Sequence, residues 1–362
     1  MSRYYKFLNR IMLLLTFCLL LPGIAWCEPT DAPQNMKLLF GQYTDGQQTF
    51  LVREKAGSLE LLFEKGTNMA GEMVYDTQTL ESAGGGQYRW MKAEEGGLRL
   101  VMVRFLRDAS GRGVECRLGE AAAVRLVETS GGDVKELRLA SRDWESLRKQ
   151  TKKLQPPVEQ GNFLPVEWVS LTAMDGTIKL DMRYGTENNQ WGAKLYEGEQ
   201  GFLQRPAAEA LARVQQQLKL YGYGLLVYDA YRPWFVTKMT WDAATEKQRT
   251  FLEDPTAGSR YNRGASVDVG LYELVSGEPV MMPSAYEENT LSAKPAFVGG
   301  TELTRWRRDL LRQLMEKEGF IGSSDAWWRF DYHTWRQYPL VNKSFEDIAP
   351  VLRIKLGGAY AY

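Results

Sequence analysis

The rhythm of this chain changes once along its length, and that change limits the folds open to it. From Lys37 to about Leu139, short alternating runs (Phe50 to Arg53, Leu59 to Phe63, Tyr88 to Lys92, Leu98 to Phe105, Val124 to Val127) are separated by Gly-rich or Asp-rich turns. A period of two sends successive side chains to opposite faces, so these runs predict strands, and their spacing predicts a small antiparallel barrel or sandwich over residues 28–141. Arg142 to Lys153 is charged and helix-compatible, and Pro156, Pro157 and Gly161 then interrupt it, which predicts a linker over 142–162. Beyond it the texture is mixed. Pro206 stands where a first helical turn tolerates it, Leu211, Val214, Leu218 and Tyr221 recur at helical spacing, and Gly222 stops the run before a strand from Leu225 to Tyr228. Leu303, Trp306, Leu310, Leu314 and Met315 mark a second amphipathic helix ending near Gly319. The expected class is α+β, with a small all-β unit first and a mixed unit over 163–362.

A length of 362 residues fits two domains. With 45 basic and 45 acidic side chains, the chain is not built to hold nucleic acid by charge. Arg305, Arg307, Arg308 and Arg312 have helical spacing and are expected to form a solvated helix face. At the start, Arg3, Lys6 and Arg10 precede an apolar run from Ile11 to about Leu21, broken by Pro22 and Gly23. This has the form of a signal peptide, residues 1–27, with Ala25 and Cys27 spaced for cleavage before Glu28. The run is shorter than the roughly 20 apolar residues of a membrane span. Lipid attachment at Cys27 is the alternative, and Trp26 is too large for that motif. The expected location is the periplasm or surface of a bacterium, with no transmembrane anchor after cleavage. Cys116, the one cysteine left after removal of that segment, is expected to be a buried small hydrophobe.

Three segments carry the chemistry. The first is Tyr228-Asp229-Ala230-Tyr231-Arg232-Pro233, preceded by Leu180-Asp181-Met182-Arg183-Tyr184 and by Asn188-Asn189. The second runs from Ser259 through Tyr261 to Asp268, and the third is Ala326-Trp327-Trp328-Arg329-Phe330-Asp331-Tyr332. In this order they resemble the VanX-type D-alanyl-D-alanine dipeptidases, zinc peptidases that cut the dipeptide used in peptidoglycan cross-linking. The likeness spans about Ile178 to Ile348. It implies that Arg232 holds the position of the arginine steadying charge on the scissile carbonyl, a task suited to a planar, permanently charged guanidinium. It also implies that Asp268 holds a zinc-ligand position.

The remaining positions differ. Tyr261 and Arg329 stand where the family has its two histidine ligands, and Ala326 stands where it has the general-base glutamate. A phenol is a poor ligand beside imidazole, a guanidinium has no lone pair to offer, and alanine moves no proton. The single histidine, His333, lies four residues past Arg329, roughly 13 Å along an extended chain, too far to replace a ligand. A site rebuilt from Asp268, Asp331 and Asp325 would suit a hard cation better than zinc. The expectation is an exported dipeptidase-like protein that is catalytically inactive, holds no metal, and binds a D-alanyl-D-alanine or cell-wall peptide, or a protein partner of unspecified kind. The alternative is an active dipeptidase with an altered metal site. Without metal, Asp268 needs compensation, and Arg329 is expected to bridge back to it as an ion pair that replaces the metal as the cross-link between the two motifs.

Overall fold

The computed structural model describes residues 27–126, 143–250 and 252–348. The expected signal peptide through Trp26, the expected strand end at Val127, the stretch to Leu139 and the start of the expected linker at Arg142 lie outside those residues. Among the described residues, no helix is long and apolar enough to cross a membrane.

The first unit is a single antiparallel sheet of nine strands: β1 (Gly41–Thr44), β2 (Thr49–Lys55), β3 (Ser58–Thr67), β4 (Met73–Thr79), β5 (Glu81–Gly84), β6 (Gln87–Glu94), β7 (Gly97–Arg107), β8 (Gly113–Leu118) and β9 (Ala121–Arg125). Its order is β4-β3-β2-β1-β9-β8-β7-β6-β5, and the β1/β9 pairing of Tyr43 with Arg125 joins first strand to last. The two outer strands, β4 and β5, are separated only by Leu80, whose N–H donates to the Leu59 carbonyl at 2.8 Å. One continuous strand therefore pairs first with β3 and then with β6, and the sheet curls into a nearly closed barrel rather than a sandwich. Tyr43, Phe50, Val52, Leu61, Val103 and Cys116 fill its interior. Burial pushes the Cys116 thiol far above its ordinary value, as expected of a packing residue.

The second unit is built on a five-stranded sheet in the order β11 (Lys179–Leu180), β13 (Tyr223–Asp229), β14 (Ser266–Glu273), β16 (Arg329–Tyr332) and β15 (Phe320–Gly322), while β10 (Trp168–Ser170) pairs with β12 (Phe202–Gln204) beside it. Four α-helices of eight residues or more accompany it among the described residues: α1 (Trp144–Thr151), α2 (Arg205–Lys219), α3 (Trp234–Ala243) and α4 (Glu302–Lys317). The helical spacing read in the sequence is the buried stripe: Leu211, Val214 and Leu218 of α2 and Leu310, Leu311 and Met315 of α4 join Val227, Val267, Val269 and Leu271 in one core. Helix α1 rests on this unit, with Trp144 edge-on to Trp191 and Arg148 Nε donating to the Leu195 carbonyl at 3.3 Å.

The arginines of α4 are not all solvated. Arg305 and Arg308 are buried, Arg305 where α4 meets the barrel and Arg308 against its own unit, its Nη1 donating to the Phe297 carbonyl at 2.5 Å. Arg305 donates to the carbonyls of Gly299, Gly300 and Glu54 at 3.0, 3.0 and 2.8 Å. The Glu54 carboxylate, 1% exposed, accepts from the Glu302 N–H at 2.8 Å, so a barrel side chain caps the first turn of a helix in the other unit. A helical pattern of charges does not distinguish solvent from a neighbouring unit that offers carbonyls.

Candidate active-site cleft

Three adjacent strands bring the site together. The β13/β14 ladder pairs Asp229 with Asp268, and the β14/β16 ladder pairs Asp268 with Arg329. The first pairing depends on a register shift between Val227 and Asp229, a bulge that carries Asp229 opposite Asp268. Arg232 follows β13 directly, and Pro233 then fixes the entry to α3. Tyr261 comes from a tight turn, Arg260–Arg263, capped by Ser259 and Asn262 through reciprocal side-chain to backbone bonds. Asn262 Nδ2 also donates to the Arg232 carbonyl at 2.8 Å and the Arg232 N–H to the Tyr261 carbonyl at 3.1 Å, tying two of the motifs together. Gly264 ends the turn at φ 68°, and a Cβ there would lie 2.2 Å from the Trp168 ring.

The ion pair expected between Arg329 and Asp268 is present, and a phenol relays hydrogen bonds between its two members. Arg329 Nε is 3.9 Å from Asp268 Oδ1, outside hydrogen-bond range, while it donates to Tyr261 Oη at 2.9 Å. Tyr261 Oη in turn donates to Asp268 Oδ1 at 2.5 Å, and Tyr286 Oη donates to Oδ2 at 2.9 Å. The phenol lies between the two charges because a tyrosine side chain is longer than that of histidine, and its Oη reaches both groups. Burial pushes both the Tyr261 phenol and the Asp268 carboxyl upward, and the Arg329 guanidinium opposes each shift. Arg329 itself is raised, first by Tyr261.

Arg232 is held by Asp229, its Nε donating at 3.1 Å, and is flanked by the rings of Tyr184 and Tyr261 at 4.2 and 4.6 Å. Burial works against its charge, but Asp229, Tyr184 and Tyr261 outweigh it and keep the guanidinium above its ordinary value. Burial also pushes the Asp229 carboxyl up to about 7 despite Arg232, and its Oδ1 has no hydrogen-bond partner among the described residues.

The cleft has a volume of about 340 Å³ and is walled by Tyr184, Asp268, Tyr286, Glu287, Ala326 and Arg329. Arg232 is therefore beneath Tyr184 and Tyr261 rather than on the wall. Glu287 was not singled out by the sequence, which gives no local signal in that loop. Its backbone has φ 59°, a strained conformation for a residue with a side chain. Tyr184 Oη donates to one carboxylate oxygen at 2.5 Å and the Gln190 N–H to the other at 2.9 Å. Burial pushes this carboxyl up as well. Asp229 was also missed, although it stands three residues before Arg232 within the first motif.

His333 lies outside this cleft: it is exposed, and its Nδ1 is 3.1 Å from the Gly319 carbonyl. Asp331 is engaged by Arg260 at 2.5 Å. Among the described residues, no three His, Cys, Asp or Glu side chains converge on a common point. The donor set at the family's zinc position is one carboxylate already accepting from two phenols, with a cation beside it, and this does not fit a divalent metal.

Residues 165–349 match the family model described as Peptidase_M15, D-ala-D-ala dipeptidase. The chain is 28% identical over 179 residues to a D-alanyl-D-alanine dipeptidase of Escherichia coli (strain K12), covering 49% of this chain and 91% of that protein. It is 29% identical over 187 residues to a D-alanyl-D-alanine dipeptidase of Enterococcus faecium, covering 47% and 91%. A crystal structure of SurE aligns with 33% of this chain and 26% of its own at 22% identity and a TM-score of 0.20, and no fold argument rests on it.

Proposed function

We propose that this chain, which belongs to the D-ala-D-ala dipeptidase family, is an exported member that has lost catalysis and retains its cleft to bind a short cell-wall peptide. The observation that carries this reading is the relay from Arg329 through Tyr261 to Asp268, which takes up the retained carboxylate and places a guanidinium where the family has a histidine. Ala326 lines the same cleft and offers no group to accept a proton from water.

Peptide binding is supported by the charges of the wall. Glu287 and Arg329 are opposite in sign on the wall of a cleft of about 340 Å³, and a zwitterionic peptide presents an ammonium and a carboxylate to such a wall. An ammonium beside Glu287 would bring its carboxyl back down and stabilise the bound state. Arg232, locked to Asp229, has the role of fixing Tyr184 and Tyr261 from below.

The test is metal content, hydrolysis and calorimetry on one purified sample. The expected result is no stoichiometric metal, no D-alanyl-D-alanine hydrolysis with added zinc, and dipeptide binding weakened at least tenfold in Glu287→Gln. Metal-dependent hydrolysis abolished by Asp268→Ala would overturn the loss of catalysis, and absence of dipeptide binding would overturn the retained cleft. Fusion of residues 1–40 to a reporter active only outside the cytoplasm tests export.

A further inference from the structure

A second cavity, of about 570 Å³, opens at one end of the barrel, within the range typical of small-molecule sites. It is lined by inward-facing residues two apart on the same strands: Phe63 and Lys65 on β3, Trp90 and Lys92 on β6, Arg99 and Val101 on β7. The deeper members are apolar, with Trp90 and Val101 directly paired and nearly buried, and Leu118 beside them. The outer members are cations. Lys92 and Arg99 face each other in register, an arrangement that costs stability in a bare sheet. One carboxylate serves both: Glu94 accepts from Arg99 Nε at 3.0 Å and lies 3.6 Å from Lys92 Nζ. Lys65 has Asp76 at 3.5 Å, and Asp45 is engaged by the N–H groups of Gln47 and Gln48. The rim as a whole balances three cations against three carboxylates, but at the Lys92 and Arg99 pair two cations share the single carboxylate of Glu94, which leaves a local positive site.

The outside of the same end is apolar. Met91, Leu98 and Leu100, on the outer faces of β6 and β7, are 49%, 67% and 49% exposed, and Met69 projects from the β3/β4 turn. In a meander, the β1/β2, β3/β4, β6/β7 and β8/β9 turns share one end, and the β2/β3 turn that meets α4 lies at the other. The mouth therefore faces away from the second unit, about 20 Å along β3 from that contact.

We propose that the barrel mouth binds a single-chain anionic amphiphile, its apolar chain on Phe63, Trp90, Val101 and Leu118 and its carboxylate or phosphate between Lys92 and Arg99. The exposed leucines and methionines form the lip over which the chain passes. Binding here is independent of the peptide cleft.

The test is calorimetric titration of residues 28–362 with decanoate below its micelle-forming concentration. Decanoate is expected to bind at one per chain, at least tenfold more tightly than decyltrimethylammonium. Lys92→Glu and Arg99→Glu, each replacing a like-charge neighbour with an opposite one at an exposed rim, are expected to fold normally and to weaken decanoate at least tenfold. Val101→Trp, which fills the floor, is expected to abolish it. Sedimentation with phosphatidylglycerol and phosphatidylcholine vesicles checks the single-chain class: decanoate binding without vesicle binding assigns a free single-chain amphiphile, and binding to the anionic vesicles that decanoate displaces overturns it in favour of a two-chain membrane lipid. No saturable decanoate binding, equal affinity for the cationic chain, or unchanged affinity in both charge variants overturns the proposal.

Discussion

Replacing Tyr261 by Phe removes one oxygen and tests whether the relay holds the centre of the second unit. That oxygen donates to Asp268 at 2.5 Å and accepts from Arg329 at 2.9 Å. A hydrogen bond to a buried charged group contributes about 1.5–3 kcal/mol. The Asp268 side chain is 3% exposed, so solvent does not replace the lost donor there. The Arg329 side chain is 38% exposed, so water takes over its lost acceptor and that loss is at most about 1 kcal/mol. The sum is about 2–4 kcal/mol. For a unit of this size it corresponds to a fall in melting temperature on the order of 5–10 °C, followed by calorimetry of the full chain. Arg329→Ala leaves the Tyr261 to Asp268 bond in place and is expected to cost less, about 1 kcal/mol. The double variant should cost less than the sum of the singles, because both remove links of the same relay. A fall of under 2 °C in Tyr261→Phe, with a larger fall in Arg329→Ala, would refute the reasoning and restore the direct ion pair as the principal link.

Gly264→Ala combines a left-handed backbone with a 2.2 Å approach to the Trp168 ring, and is expected to cost more than about 2 kcal/mol in urea unfolding. The Asp229 carboxyl, raised to about 7 in the folded state, contributes stability that is full below its unfolded value near 4 and is lost as pH rises through 7. Asp229→Asn should therefore flatten the decline of stability between pH 4 and 7 by up to about 1.4 kcal/mol per pH unit, read from urea midpoints across that window. Arg305→Ala removes three donors to carbonyls at the meeting of the two units, and is expected to accelerate proteolysis near Gly299 and Gly300 while leaving barrel strands protected.

Much of this was legible in the chain before any coordinates. Period-two runs located five of the barrel strands, and apolar helical spacing located the buried faces of α2 and α4, because these patterns report burial directly. Motif spacing singled out Tyr261, Ala326 and Arg329, and the fold brings Tyr261 and Arg329 to Asp268 and Ala326 to the cleft wall. What was not legible depends on relations between distant segments. The choice of barrel over sandwich rests on one strand changing partners at Leu80. The burial of Arg305 rests on a hairpin about 250 residues away. The pairing of Asp229 with Asp268 rests on a bulge, and the entry of Glu287 into the wall rests on a left-handed loop residue with no periodic signature. The length of a phenol, rather than its chemistry alone, decides that Arg329 meets Asp268 through an intermediary.

That intermediary also constrains the routes by which such a site could change back. With histidine alone at position 261, a second positive group can form beside Arg329, and with histidine alone at position 329, Tyr261 keeps its grip on Asp268. Glutamate alone at position 326 adds a further carboxylate to a wall that already holds Asp268 and Glu287. Each single reversal is expected to lose stability before any metal affinity is gained, so the three positions behave as a ratchet that turns readily only when all are changed together.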